Sequence, residues 1–292
     1  MKQGIYRITN DEYHNSFCDE PTLSTGVIKK LLDCPKRAWT DSRILNPKYV
    51  KPEHERSFDL GSAVHDYVLE GGNAIEVIKD FKDWRKEAAK DLAKSAWDAG
   101  KIPLLEKQFE QVQEIAASVM AAIRDCSELG IIDLKTDGVA ELTYLWEEDG
   151  IWMKARPDWI SADKKLILDL KSTTSADPNE FSRKVTDLGY SIQSSLYRRG
   201  CGALNGIGPE FCFVVVEISP PYLCSIVSLS PEFQELGNQQ VETAINLWRR
   251  CLKTGKWPGY RTDRICWLEP KPWAIAAWSE KKYDLERMID NN

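Results

Sequence analysis

The chain has 292 residues, 42% of them apolar, and a formal net charge of −6. That length suits one large domain or two small ones, with ample material for a core. The charge does not point to nucleic acid, although carboxylates that bind metal add negative charge and basic residues need line only one channel. None of the eight cysteines forms a Cys-x-x-Cys, so zinc ribbons and thioredoxin-like redox chemistry are unsupported. The sequence shows neither a charged-then-apolar leader nor an apolar run of spanning length, and predicts no membrane contact and a soluble, reducing, cytoplasmic setting.

Residues 1–23 read as an opening segment of short strand and turn pieces. Ser24 is placed to cap a helix in which Val27, Ile28, Leu31 and Leu32 recur at helical spacing, and Cys34-Pro35 follows it. Cys34 reads as a buried packing thiol. The next helix is expected over Phe58 to Glu70, with Gly61 allowing a close approach and His65 one turn later. Glu70-Gly71-Gly72-Asn73 breaks the chain. Residues 74–102 then read as charged helix, with Trp84 and Trp97 interleaved among Lys82, Arg85, Lys86, Lys90, Lys94 and Lys101. Interspersed acids make a solvated face one reading, and a helical arm that grips phosphates is the other. Leu104 to Ile123 is an amphipathic helix suited to packing on a sheet. This stretch, about 74–128, is expected to be a helical insertion in a single domain spanning 1–292.

Val139 to Lys171 predicts three strands joined by two tight turns: Val139–Trp146, Ile151–Ile160 and Lys165–Lys171. Alternation puts Asp169 and Lys171 on one face of the third strand. Asp158, ending the neighbouring strand, can lie beside Asp169. Two carboxylates and an ammonium would then converge at one end of a sheet, a costly arrangement unless a cation compensates it. Oxygen donors of this kind suit Mg²⁺. Glu141 is expected in the first strand on the face of Thr143 and Leu145, where its residue type alone reads as an ordinary strand carboxylate. Lys154 and Arg156 share a face with Asp158 and could pair with carboxylates or touch a DNA backbone.

Asp177-Pro178 marks a helix start, and Phe181, Val185, Leu188, Ile192 and Leu196 form one continuous buried stripe. Gln193 and Tyr197, four apart, share a face beside it. Glu210–Ile218 and Tyr222–Leu229 read as two strands, and Pro231 opens a helix to about Thr254. The tail, about 255–292, carries Trp257, Trp267, Trp273 and Trp278. These could stack on bases, seal a subunit interface or pack on the core.

Pro157-Asp158 followed across a hairpin by Asp169-Leu170-Lys171 resembles the core of the PD-(D/E)xK nuclease superfamily. Gly61-x-x-x-His65 ahead of that pair, and Gln193-x-x-x-Tyr197 after it, resemble the RecB-like subset. Together with the opening through Cys34-Pro35 and the late Trp257-Pro258-Gly259-Tyr260, the stretch from about Ser24 to Tyr260 resembles the RecE-type, exodeoxyribonuclease VIII-like exonuclease domain. The resemblance implies an α/β restriction-endonuclease-like core, a central mixed β-sheet flanked by helices with helical N-terminal additions. It implies a Mg²⁺-dependent 5′-to-3′ exonuclease, with Mn²⁺ as a possible substitute, that digests linear duplex DNA and leaves 3′ single strands for a RecT-like annealing protein. A ring-shaped homotetramer and a bacterial or prophage origin belong to the same expectation. Asp158, Asp169, the Leu170 carbonyl and His65 would hold metal, Glu141 would be a secondary catalytic candidate assisting a metal or a water, Lys171 would position water and stabilise charge, and Gln193 and Tyr197 would hold the substrate strand. A RecB-like nuclease of other specificity, endonucleolytic or helicase-associated, and a non-catalytic DNA-binding protein on the same fold are the alternative readings.

Overall fold

The computed structural model describes residues 1–290 apart from residue 16 and residues 51–59. In chain order it comprises β1 (Gly4–Tyr6), α1 (Asn10–Asn15), β2 (Thr22–Leu23), α2 (Thr25–Asp33), α3 (Pro35–Thr40), α4 (Leu60–Glu70), β3 (Ile75–Ile78), α5 (Glu87–Asp98), β4 (Ile102–Leu105) and α6 (Glu106–Asp125). Then follow α7 (Leu134–Asp137), β5 (Gly138–Ala140), β6 (Thr143–Glu148), β7 (Ile151–Ala155), β8 (Trp159–Ser161), β9 (Leu166–Thr173), α8 (Pro178–Asp187), α9 (Tyr190–Asn205), β10 (Glu210–Glu217), β11 (Cys224–Ser228), α10 (Pro231–Thr254) and α11 (Pro272–Asp290). Phe58, Asp59 and His54 lie outside the described residues. Two compact units result, residues 1–258 and residues 259–292.

A five-stranded mixed sheet, β11-β10-β9-β8-β5, forms the middle of the larger unit. The β9–β10 pair is parallel and the other pairs are antiparallel. Alternation along β9 and β10 feeds two cores. Ile167, Phe213 and Val215 enter one with Ile192 and Leu196 of α9 and Val241, Ile245 and Trp248 of α10. Leu168, Val214 and Val216 enter the other with Val64 of α4 and Val112, Ile115 and Val119 of α6. The sheet is therefore covered on both faces, the mixed α/β architecture expected from the sequence.

The three-strand meander is instead five strands shared between two sheets. β6 and β7 pair with each other and with β1 and β2, whereas β5 and β8 join β9. The chain changes sheets at two facing breaks, Glu141-Leu142 and Arg156-Pro157-Asp158. Pro157 has no N–H for a ladder bond, and Glu141 sits at φ +59°, in the left-handed region. Glu141 is thus not a strand residue on the face of Thr143 and Leu145. Its N–H donates to the Asp158 carbonyl at 3.0 Å across the gap.

Three further expectations change. Residues 74–102 contain the parallel pair β3–β4 as well as α5, which buries Ala89, Ala93 and Ala96; the short apolar runs Ile75–Ile78 and Ile102–Leu105 are strands within the charged stretch. The stripe over Phe181–Leu196 spans two helices, broken at Gly189 with φ +63° and leaving Leu188 exposed. Ser24 occupies the N-cap position of α2 without a side-chain capping bond. Cys34 is buried beside the late motif: the Lys36 N–H donates to the Pro258 carbonyl at 3.0 Å, and Trp257 packs edge-on against Trp248. In the smaller unit Trp267, Trp273 and Trp278 are exposed.

Candidate active site

β8 pairs with β9 only at Trp159↔Leu168 and Ile160↔Ile167, whereas β10 accompanies β9 as far as Thr173. From Asp169 onward, one edge of β9 has lost its strand neighbour. The Asp158 side chain takes that place, its Oδ2 accepting from the Leu170 N–H at 2.8 Å. Within a strand, the N–H and C=O of one residue point to the same edge, so the Leu170 carbonyl faces the Asp158 side as well.

α4 brings His65 to this edge. Its Nε2 lies 3.0 Å from Asp158 Oδ2 and its Nδ1 3.6 Å from Glu141 Oε1, so the ring bridges two carboxylates. Arg156 Nε ion-pairs with the other Glu141 oxygen at 2.5 Å. Lys154 goes elsewhere: its ammonium donates to the Tyr13 carbonyl of α1 and lies 4.5 Å from that ring's centre. Holding a non-glycine residue at positive φ costs on the order of 1 kcal/mol or more, and such strain concentrates at functional sites. Glu141 reaches His65 from that strained position.

The opposite face of β9 presents Asp169 and Lys171 to α9. Asp169 is fully buried. Gln193 Nε2 donates to its Oδ2 at 2.7 Å, and Lys171 ion-pairs with its Oδ1. The Lys171 ammonium also lies over the Tyr190 ring, 5.0 Å from the centroid. Tyr197, one turn beyond Gln193, is buried and packs against Phe211, with its hydroxyl bonded to Gln193. Gln193 therefore addresses the Asp169 carboxylate, and Tyr197 lines a cavity shared with Tyr13, Lys154 and Trp248. Tyr190 is a site residue that the continuous-stripe reading missed. Gly189 was its signal, because a helix restarting there places Tyr190 and Gln193 together in the first turn.

The electrostatics separate these groups. Burial drives the Glu141 carboxyl up to about 7, despite the opposing charges of His65 and Arg156. Burial and the neighbouring Asp158 push Asp169 up to about 6. Burial opposes charge on Asp158 too, but His65, Lys171 and the Leu170 N–H outweigh it and hold its pKa below the usual range. Burial likewise opposes charge on His65, yet Asp158, Glu141 and Asp169 raise it to about 9. Lys171, buried but beside Asp169 and Asp158, is raised and stays charged.

His65, Glu141 and Asp158 each offer a ligand atom within 4.8 Å of the others, the one such grouping of three among the described residues. Carboxylate oxygens with one imidazole suit a hard or borderline divalent cation, Mg²⁺ or Mn²⁺. The donor set fits such an ion. Asp169 and Leu170 lie on the adjoining strand β9.

Residues 24–266 match the model of a family described as a PDDEXK-like domain of unknown function (DUF3799). The chain belongs to this PDDEXK-like family. No curated protein matches its sequence. A crystal structure from Eubacterium rectale described as a "Putative exonuclease" aligns with a TM-score of 0.59 at 17% identity, covering 93% of this chain and 99% of that one. At that identity the likeness is one of fold. A second solved structure, SSO0001, covers 68% of this chain and 96% of its own at 15% identity with a TM-score of 0.25. This PDDEXK-like protein has, among its described residues, no helix long and apolar enough to cross a membrane. Family and fold together support a nuclease.

Proposed function

We propose that this PDDEXK-like protein is a divalent-metal-dependent exodeoxyribonuclease that hydrolyses linear duplex DNA from its 5′ ends. The observation that carries the reading is the juxtaposition of Asp158, Asp169 and Lys171 where β9 loses its neighbour, with His65 and Glu141 beside them. Asp158, Asp169, His65 and the Leu170 carbonyl would hold the cation, with Glu141 available as a further ligand. A cation held there supplies Lewis-acid chemistry, polarising the phosphate and acidifying water. Lys171 acts as a charge rather than a base, because its carboxylate neighbours keep it protonated. It orients the attacking water and stabilises the charge that builds on the phosphoryl oxygens during in-line displacement. Gln193 fixes Asp169, and Tyr197 backs Gln193. The 5′ polarity, 3′ tails passed to an annealing protein and a ring tetramer are part of this proposal, resting on the RecE-like motifs.

The test is digestion of linear duplex DNA labelled separately at its 5′ and 3′ ends, beside closed circular DNA, in Mg²⁺ and in EDTA. Early loss of the 5′ label from linear DNA, with the circle intact and EDTA abolishing the reaction, is expected. Cutting of the circle would replace the reading with an endonuclease, and early loss of the 3′ label would reverse the polarity.

A further inference from the structure

Lys29, in the second turn of α2, has no assigned role. Its neighbour Lys30 turns away and pairs with Asp41 at 2.6 Å. Lys29 points toward α9. Its ammonium lies 5.6 Å from the centre of the Tyr190 ring, the ring that also carries Lys171. Among the described residues no carboxylate pairs with it.

The stem of Lys29 is seated as deliberately as its head. It crosses Gly189, where an added Cβ would come within 3.1 Å of Lys29 Cε. Gly189 therefore serves twice. It adopts the φ of +63° that restarts the helix, and its bare backbone leaves room for the lysine stem. The three residues Gly189, Tyr190 and Gln193 of one helical turn thus contact Lys29, Lys171 and Asp169 respectively.

Two ammoniums beside one ring repel each other. Burial lowers the pKa of Lys29, Lys171 lowers it further, and Asp169 is close enough to oppose the effect. Asp169 already carries Lys171 and Gln193 on its two oxygens. A half-buried cation held near like charge without its own counter-ion is unfavourable unless an anion arrives to neutralise it.

We propose that Lys29 binds a non-bridging phosphate oxygen of the substrate strand, at the phosphate next to the one that is cut. This rests on the nuclease reading of the site. Lys29 is a substrate-positioning residue and takes no part in water activation, which belongs to Lys171. The ligand is a phosphodiester backbone, read by charge without regard to base.

The experiment measures kcat and kcat/KM for Mg²⁺-dependent digestion of a linear duplex over a series of KCl concentrations. It compares wild type, Lys29→Met, which keeps an unbranched stem over Gly189 and Tyr190, and Lys29→Arg, which keeps the charge. Each phosphate contact contributes roughly 0.9 to the slope of log affinity against log salt for duplex DNA. Lys29→Met is expected to make the slope of log(kcat/KM) shallower by about one, through a raised KM with kcat at saturating DNA little changed. Lys29→Arg is expected to restore the slope. A wild-type slope in Lys29→Met overturns the proposal, even if the variant melts at lower temperature, because packing alone does not alter the salt slope. Wild-type protein that digests no DNA overturns the nuclease reading itself, an outcome distinct from a failure of Lys29.

Discussion

The two halves of the site differ in what they are open to. His65, Glu141 and Asp158 are partly accessible, their side chains 31, 16 and 14% exposed, with burial driving Glu141 up to about 7 while the carboxylates raise His65 to about 9. Asp169 and Gln193 are buried, and Lys171 is locked to Asp169 by an ion pair. The open half is suited to exchanging protons for a cation. The buried half is suited to holding one carboxylate and one ammonium at a fixed separation. The contrast follows from the fold: the open half lies at the gap where the chain leaves one sheet for another, and the buried half lies under α9.

Removing either charge of the buried half gives the largest effect. Asp169→Asn and Lys171→Met should each lower the rate of DNA hydrolysis by at least about 10²–10³-fold, the scale seen when one preorganised transition-state contact is lost. Single-turnover digestion measures this, and near-normal rates in either variant would break the contrast between the halves. Gln193→Ala strikes the support rather than the charge. It leaves a buried carboxylate oxygen without its donor, at a cost on the order of 1–3 kcal/mol. Denaturant unfolding should register that loss, and Gln193→Glu should cost more by placing a second carboxylate against Asp169.

The open half should show itself through pH. In the absence of metal the folded chain holds a proton on His65 that the unfolded chain releases above about 6.5. A raised folded pKa contributes stability that is present below the unfolded pKa and is lost as pH rises through about 9. Melting temperature in EDTA should therefore fall between pH 6.5 and 9, and His65→Asn should flatten that part of the profile. Cation binding must displace the same proton, so calorimetry at pH 7.5 in buffers of different ionisation enthalpy should report proton release on Mn²⁺ binding. No release would mean that His65 stays out of the coordination. The smallest effect expected is that of Gly189→Ala, about 1–2 kcal/mol from forcing a side chain into left-handed backbone.

How far the sequence made this legible depends on distance along the chain. Asp169, Leu170 and Lys171 follow from the period-two rule on one strand, and α10 from Pro231 to Thr254 follows from its capping and apolar spacing. The mixed sheet covered on both faces was readable in the strand and helix succession. The transfer of β6 and β7 to a second sheet was not, because strand pairing is decided by tertiary contact and periodicity looks the same in either sheet. That is why Glu141 was expected on a strand face rather than at a strained turn. The split at Gly189 was overruled by an unbroken apolar stripe, although the glycine marked it. Lys29 and Arg156 acquire partners 160 and 15 residues away in sequence, on Gly189 and Glu141. No local pattern reaches across such a gap.

The most direct test of the central claim is nucleotide release from linear duplex DNA by wild-type protein as Mg²⁺ is titrated, with EDTA and with Asp169→Asn as controls. Release that rises with Mg²⁺, stops in EDTA and is lost in Asp169→Asn while that variant remains folded is the predicted result. Release that persists in Asp169→Asn or in EDTA, or no release at any Mg²⁺ concentration, would contradict a metal-dependent nuclease centred on Asp158, Asp169 and Lys171.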